Sequence, residues 1–597
     1  MGIFKNIIDE VRFIGAMRET KNWVAALDRT SSGTIADDWE AICDQNGPKP
    51  AIIFEGKTLT YSQFDNIANT YANWATSIGL TKGSVVALFM PNKPDYIACW
   101  YGLAKVGVVT AFINYNLTGQ PLAHCIKIAK ASAIIVDKSL KQQWLDIAHG
   151  LSNVTAFLRG EAAVGFNDLD RALNAQTIRR PNPIYRSTII GADPCLYIFT
   201  SGTTGHPKAA LLTQTRTRGM TRIFIAGAGA KSNDTIYIPL PLYHSTGGIC
   251  AVGMAFNLGG TIVLAPKFSA SSFWDDIVKY NCTIFVYIGE LFRYLLSNSP
   301  NPNENAHKLK SCFGNGLRPE VWEQAEERFK IPKIMEFYAS TEGNVFFLNP
   351  MGKKRAVGRV PKYLRKQVNF EIVKFDYDKE EPWRDLDGHC VVCDFDEAGE
   401  VIGKIDIDDP RGQFDGYAND QEATNKKILR NVFADGDTYF RTGDLMKIDK
   451  DGYIYFIDRI GDTFRWKSEN VSTTDVGDAL SSFDGVEQAN AYGVSIPHND
   501  GRAGMAVIVA PSELDYDALL AHLRLELPSY AVPIFLRIKD QVEVTGTFKY
   551  KKIELVKQGF DPNFIHDKIM WLDPALKTYV ELNSESYGRI IRGEIRF

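Results

Sequence analysis

The stretch Tyr197-Ile-Phe-Thr-Ser-Gly-Thr-Thr-Gly-His-Pro-Lys-Ala-Ala210 constrains this chain more than any other. An apolar strand breaks into a loop rich in hydroxyls and glycines and ends at a lysine. Gly202 and Gly205 let backbone N–H groups approach an anion closely. Thr200, Ser201, Thr203 and Thr204 add hydroxyl donors, and Lys208 adds a charge. Together they form a cradle for a polyphosphate. The loop departs from the common G-x-x-x-x-G-K-[ST] pattern, because its glycines are three apart and Ala209 follows the lysine.

With 597 residues the chain exceeds one hydrophobic core, so about two to four domains are expected. Its net charge of −4 gives no electrostatic case for nucleic acid as a partner. The nine cysteines are scattered and read as reduced, which suits the cytoplasm. Cys390-Val-Val-Cys393 beside His389 resembles half a metal site, but no second pair follows at a zinc-like spacing, and the run also reads as a buried strand. Lys5, Asp9, Glu10 and Arg12 interrupt any secretory signal. The longest uncharged run, from Ser245 to Pro266, reads as a buried helix, a turn at Asn257-Leu-Gly-Gly260 and a strand from Thr261 to Ala265, rather than as a membrane span. Ile3, Phe4, Ile7, Ile8, Val11 and Ile14 share one face of an N-terminal helix. That helix either lies on a membrane surface or packs against the body, and its polar face carries both signs of charge.

From about residue 50 to 300, strand-like and helix-like segments alternate. Ser84 to Phe89, Ala133 to Val136, Thr235 to Pro239 and Cys282 to Tyr287 read as strands, while Asp95 to Val106 and Pro121 to Lys130 read as helices. This rhythm predicts wound α/β layers. From about 365 to 460 short strands dominate, as in Val368 to Lys374 and Gly452 to Ile457. A smaller α+β module follows. The expected fold is therefore α/β: a large N-terminal domain of wound layers with a β-rich subdomain, residues 1–459, and a smaller mobile α+β C-terminal domain, residues 460–597.

Four further clusters carry chemistry. Phe337-Tyr-Ala-Ser-Thr-Glu-Gly343 follows a strand and sets a hydroxyl beside a carboxylate; Glu342 suits Mg²⁺ on a triphosphate and Thr341 a phosphate oxygen. Tyr439-Phe-Arg-Thr-Gly-Asp444 presents an acid, the usual partner of ribose hydroxyls. Asp458-Arg459 ends a strand with a cation. Thr545-Gly-Thr-Phe-Lys549 places a lysine in a small-residue loop near the C-terminus. Each of these, taken alone, also reads as a solvated loop charge.

In this order the clusters resemble the adenylate-forming superfamily of acyl-CoA synthetases, luciferases and adenylation domains, from about residue 35 to 560. Gly416-Tyr-Ala-Asn-Asp-Gln-Glu-Ala-Thr424 and Leu527-Pro-Ser-Tyr-Ala-Val-Pro533 add to the match. The run from Phe456 to Lys467, followed by Glu469-Asn-Val-Ser-Thr473, is similar to the fatty acid transport protein, or very-long-chain acyl-CoA synthetase, branch. Thr283 to Glu290 and Phe337 to Asn344 fit the same branch. Eukaryotic members often begin with a membrane span; this chain looks more like a bacterial-type relative.

The resemblance implies roles. Thr200, Ser201, Gly202, Thr203, Thr204, Gly205 and Lys208 hold the departing β- and γ-phosphates. Gly314, Asn315 and Gly316, with Leu317, pack on adenine, and Tyr338 stacks beside it. Thr341 meets the α-phosphate and Glu342 holds magnesium. Asp444 takes the ribose hydroxyls, and Arg459 the ribose or phosphate region. His244 stands between nucleotide and acyl pocket, and Lys549 serves adenylation. Tyr243, Tyr287 and Gly289 are candidate acyl-pocket lining. Two departures stand out. The hinge position two residues after the arginine is Gly461, which can absorb a φ/ψ change. The glycine expected near the pantetheine thiol is Ser468.

The implied activity is that of a long- or very-long-chain fatty acid–CoA ligase using ATP, Mg²⁺ and CoA. Alternatives are activation of a bile or aryl acid, a fatty acyl-AMP ligase, and a membrane-associated fatty-acid uptake protein. A homodimer, and peripheral contact with the inner face of the cell membrane through the N-terminal helix, belong to the same expectation.

Overall fold

Two wound sheets share one hydrophobic core. The computed structural model describes residues 2–200, 207–376, 379–406, 409, 412–467, 469–499, 501–511, 514–541, 552–595 and 597. Ser201, Gly202, Thr203, Thr204, Gly205, Ser468 and Lys549 lie outside the described residues, as do the side chains of residues 2–9, 320, 470 and 553.

Helix α1 spans Gly2–Val24. The first sheet has seven strands, in the order Asn167–Asp168, Thr155–Arg159, Ala133–Asp137, Val85–Phe89, Val109–Phe112, β1 (Pro194–Thr200) and β2 (Lys208–Thr213). Its neighbours run parallel except for the last pair. That antiparallel pair sets Thr200 directly opposite Lys208. Two helical pieces follow, α2 (Gln214–Met220) and α3 (Phe224–Ala228). The Thr213 hydroxyl caps α2 by accepting the Arg216 N–H.

The uncharged run does begin as a buried helix, but its first part, Ser245–Ala251, is a π-helix before an α-helix over Val252–Leu258. Glycine permits the close approach that winds it: a Cβ on Gly248 would stand 1.8 Å from the Leu242 carbonyl oxygen. Such wide turns concentrate at functional sites.

The second sheet has eight strands, in the order Lys57–Thr60, Pro50–Phe54, Thr261–Leu264, Thr235–Ile238, β3 (Ile284–Ile288), β4 (Ser311–Asn315), β5 (Ile334–Ala339) and Phe346–Leu348. Its interior is parallel and apolar, as expected for a sheet covered on both faces. An antiparallel sheet then joins β6 (Thr438–Ile448) and β7 (Tyr453–Arg459) to Ala356–Arg359, Gly399–Lys404, Phe370–Val373 and Ile428–Arg430. Beyond it come α4 (Thr473–Ser481), a five-stranded sheet and α5 (Lys552–Gln558). They have a core of their own, around Phe464, Leu480, Phe535 and Trp571. The architecture is thus the expected one: wound α/β layers, a β-rich subdomain and a smaller α+β part.

One local expectation fails. Cys390 to Cys393 is no strand; Cys390 N–H donates to Val432 and Cys393 N–H to Ile372, so the segment weaves between neighbours and forms only isolated bridges. Helix α1 packs on α3; of the face read from sequence, Ile3, Phe4, Ile7 and Ile8 have side chains outside the described residues. Phe13 is 1% exposed, whereas Val11 and Ile14 are 65% and 48% exposed. The inward stripe is Phe13, Met17, Thr20, Val24 and then Leu27, at spacings of three and four. No described helix is long and apolar enough to cross a membrane.

Gly253 sets the distance between the Val252–Leu258 helix and the α2–α3 junction: a Cβ there would lie 2.3 Å from Cβ of Thr221. Gly253→Ala is expected to lower stability by about 1–3 kcal/mol through overpacking. An unchanged urea midpoint would show that the helix shifts freely.

Candidate active site

The turn after β5 is gripped by Arg216 on α2, which lines the same cleft. Its Nε donates to the Thr341 carbonyl at 3.0 Å, and Nη2 to the Thr341 and Ser340 carbonyls at 2.6 and 3.2 Å and to that of Gly343. Burial pushes the guanidinium pKa down, while Asp415 and Glu342 pull it up. The cation therefore fixes the backbone of the turn and leaves its side chains to point into the cleft. Thr341 Oγ1 lies 3.3 Å from Ser245 Oγ at the start of the π-helix. Glu342 accepts the Tyr417 hydroxyl at 2.8 Å, and the Tyr417 ring lies 5.3 Å beneath the Lys208 ammonium. Tyr417 is held there because Leu211 N–H donates to Gly416 and Ala418 N–H to Ala209, which adds its segment to the edge of β2. Burial first, then the Glu342 carboxylate, drive the Tyr417 phenol pKa up, so it stays a donor.

A second set lies at the end of β4 and on β5. Glu336 is buried, and accepts the Tyr287 hydroxyl at 2.7 Å and the N–H groups of Gly316 and Leu317 at 3.0 and 3.1 Å. It thereby shapes the segment after β4, where Gly316 has φ +79°. Two residues on, the Tyr338 hydroxyl donates to Asp444, and its ring stacks on Phe347 with centroids 5.6 Å apart. Asp444 pairs in register with Arg459 across β6 and β7, and their charged groups lie 3.7 Å apart. Asp444 N–H donates to the Thr442 hydroxyl at 3.1 Å.

One cleft of about 3120 Å³ is lined by Thr200, Lys208, His244, Asn315, Gly316, Tyr338, Thr341, Glu342, Asp444 and Arg459. Gly314 stands behind its wall, against Tyr287: a Cβ there would lie 2.2 Å from the Tyr287 carbonyl oxygen. His244 is in ring contact with Tyr243 at 4.4 Å. Of the three candidate acyl-lining residues, Gly289 lines this cleft and Tyr243 and Tyr287 do not. Tyr243 packs edge-on against Tyr115, and Tyr287 packs on Phe292 and serves Glu336, so both belong to the core.

Arg216, Glu336 and the role of Tyr417 escaped sequence reading. Arg216 sits in the polar run Thr213-Gln-Thr-Arg-Thr-Arg218, which resembles a solvated helix. Glu336 did leave a trace, as the lone acid inside the apolar strand Ile334-Met-Glu-Phe-Tyr338.

A family model described as AMP-binding enzyme matches residues 39–389, and one described as AMP-binding enzyme C-terminal domain matches residues 475–549. Long-chain fatty acid transport protein 6 of Mus musculus is 41% identical over 569 residues, covering 94% of this chain and 91% of its own length. Long-chain fatty acid transport protein 2 of Rattus norvegicus is 42% identical over 551 residues, covering 91% and 88%. These relatives are mammalian and lend no support to a bacterial-type assignment. Among solved structures, the anthranilate CoA ligase AuaEII in complex with anthranoyl-AMP aligns with a TM-score of 0.76 at 19% identity, over 90% of this chain and 98% of its own. ATP-bound MatB from Rhodopseudomonas palustris aligns with a TM-score of 0.73 at 20% identity, over 88% and 98%. At such identities the likeness is one of fold.

Burial drives the Glu336 carboxyl from its ordinary 4.5 up to about 8, against the pull of its three donors. The folded chain then holds a proton that the unfolded chain releases. The resulting stabilisation is complete below about pH 4.5 and lost as pH rises through about 8. The melting temperature of the natural chain should fall over that window relative to Glu336→Gln. Parallel curves for the two proteins would refute a protonated Glu336.

Proposed function

This chain belongs to the AMP-binding enzymes, the adenylate-forming ligases, and among them to the family of the long-chain fatty acid transport proteins; from that premise we propose that it is an ATP-dependent long- or very-long-chain fatty acyl-CoA synthetase. One observation carries the proposal: a lysine, a magnesium-type carboxylate and a ribose-type carboxylate face one cleft, around a turn whose carbonyls a single arginine holds.

A carboxylate is a poor electrophile, and coupling to ATP activates it. An oxygen of the acid attacks the α-phosphorus; the new P–O bond forms as the bond to the β-phosphate bridge breaks, and pyrophosphate leaves. The sulfur of CoA then attacks the acyl carbon, AMP departs with the bonding electron pair, and the thiol proton passes to solvent. The protein positions the groups and neutralises charge rather than supplying a nucleophile.

Lys208 and the hydroxyls of the loop that starts at Thr200 hold the departing phosphates. Thr341 directs a hydroxyl at the α-phosphate. Asn315, Gly316 and Tyr338 take the adenine, and Asp444 the ribose hydroxyls, with Arg459 beside it. Glu342 lines the cleft with one oxygen engaged by Tyr417, which suits it to Mg²⁺. Bound there, the ion would offset negative charge on the phosphate oxygens. His244 separates the nucleotide from the acyl arm. Lys549 supplies a cation in adenylation, and a swing of residues 460–597 on the joint after Arg459 then admits CoA. The separate core around Phe464 and Phe535 supports that division.

A peripheral membrane contact has its own support: Val11 and Ile14 are exposed on α1. Uptake by trapping the acid as its CoA ester is compatible with the same chemistry.

Carboxylate-dependent exchange of labelled pyrophosphate into ATP tests the first step, across fatty, aryl and bile acids. Fatty acids should give the strongest exchange; no exchange with any acid would falsify the synthetase. Accumulation of acyl-AMP in the presence of CoA would point instead to an acyl-AMP ligase. Lys549→Ala should abolish exchange yet spare thioester formation from supplied acyl-AMP. Arg216→Gln should slow exchange by on the order of 100-fold through displacement of the turn, with little change in the KM for ATP. Val11→Asp with Ile14→Asp should abolish sedimentation with lipid vesicles; unchanged sedimentation removes α1 from the contact.

A further inference from the structure

The α2–α3 segment runs from the reaction turn to the N-terminal helix. At its start Arg216 holds the carbonyls of Thr341 and its neighbours. One to two turns on, Gly219, Met220, Ile223 and Phe224 line the same cleft. At 1.5 Å per residue, Arg216 to Phe224 covers about 12 Å. The facing wall is α1, whose inward stripe Phe13, Met17, Thr20 and Val24, with Leu27 beyond its end, lines the cleft as well. A Cβ on Gly219 would touch Leu27 Cδ1 at 3.8 Å, so the two walls approach each other closely there. Thr20 is the one hydroxyl in the stripe, and it donates to the Ala16 carbonyl at 2.9 Å rather than into the cleft. Phe337 and Phe346 close the side, with the Phe224 ring 4.5 Å from that of Phe337.

Helix α1 is also tied across the cleft. Glu10 is ion-paired to Arg359 at 2.7 Å and accepts the Tyr363 hydroxyl, and the Arg359 guanidinium lies 5.0 Å above the Phe13 ring. Arg359 and Tyr363 line the cleft themselves. The tie is polar and partly exposed, so it opens at small cost.

We propose that α1 is the distal wall of the acyl-binding arm: the acyl chain leaves the Thr341 turn, follows Met220 and Ile223, and ends against Phe13 and Met17, so that this helix sets the length of acid accepted. The proposal rests on the synthetase activity put forward above and names the part of the chain that selects its substrate. It also gives α1 two duties, because Val11, exposed and outside the cleft lining, sits on the same helix that walls the arm.

The test uses the full chain and a series of saturated straight-chain acids. A methylene that gains or loses contact with the wall is worth about fourfold in kcat/KM. Met17→Trp should lower the ratio of kcat/KM for the longest to the shortest accepted acid by about tenfold or more. Phe13→Ala should move the optimum to longer acids. An unshifted length profile in a Met17→Trp protein that melts as the natural chain does would overturn the proposal. An acid carrying a terminal diazirine gives a readout independent of turnover: light should attach it between Phe13 and Leu27. Adducts confined to the π-helix over Ser245–Ala251 or to β3 overturn the wall whatever the turnover. A chain inert to every acid yet labelled at Phe13 or Met17 keeps the wall and defeats the synthetase activity instead.

Discussion

The guanidinium of Arg216, half-buried at the wall of the cleft, is the interaction on which the site depends. It is a charge partly withdrawn from water, and such a group is costly unless its donors find partners. Here the partners are the carbonyls of three residues of one turn, Ser340, Thr341 and Gly343, and the compensating acids are Asp415 and Glu342. The arrangement is reciprocal. The cation holds the turn, the turn aims Glu342, and Glu342 in its turn lowers the cost of burying the cation. Tyr417 extends the chain of contacts to Lys208. A site meant to bind several negative charges is thereby kept rigid before they arrive, which is the condition for electrostatic stabilisation without reorganisation.

Strand β5 joins this phosphate side to the nucleoside side. Residues two apart on a strand point the same way, so Glu336 and Tyr338 share a face. Glu336 reaches back to the loop after β4, and Tyr338 reaches forward to Asp444 on β6. One strand thus fixes the spacing between an edge of the parallel sheet and the antiparallel subdomain. Burial, and then the Asp444 carboxylate, hold the Tyr338 phenol pKa well above its usual range, so that bridge keeps its proton.

Strands and their ends were legible in the sequence because a strand buried on both faces is a continuous apolar run, and the polar residues that follow it mark where it emerges. Thr200, Thr341 and Asn315 all lie at or just beyond such ends. What the sequence hid was the support of the wall. Arg216 is indistinguishable from a solvated helical arginine until β5 is placed over it. Tyr287 sits in an apolar run whose pattern is the same for core and tunnel, and only the partner of its hydroxyl settles that it is core. The N-terminal helix shows the limit of periodicity most plainly. Its aliphatic stripe pointed to an apolar face, and the described members of that stripe, Val11 and Ile14, are exposed, while Phe13 of a second stripe is buried. A helix with two apolar stripes has no single moment from which its inward side can be read.

The two half-reactions proposed above would call for a swing of the C-terminal part, and the distribution of contacts is compatible with one. Arg318 reaches from the body to the far side of α4, donating to Ser481 Oγ at 2.9 Å and the Ala489 carbonyl at 3.3 Å, with Asp478 3.6 Å away. That pair of charges is about a quarter exposed, in the range where ion pairs contribute little. Close to the joint the contacts are of another kind. Asp458, the residue before Arg459, is buried and accepts Thr473 N–H at 2.6 Å and the hydroxyls of Thr463 and Thr473 at 3.1 and 3.2 Å. Lys552 on α5 reaches the same place, donating to Thr473 Oγ1 at 2.8 Å and to Asp462 at 3.0 Å. Burial, opposed by Lys552, raises the Asp458 pKa. Strong contacts at the axis and weak ones at the rim are what a hinge requires. In the proposed swing the rim contacts would be exchanged for a new set, while the contacts around Asp458 and Lys552 would stay near the axis.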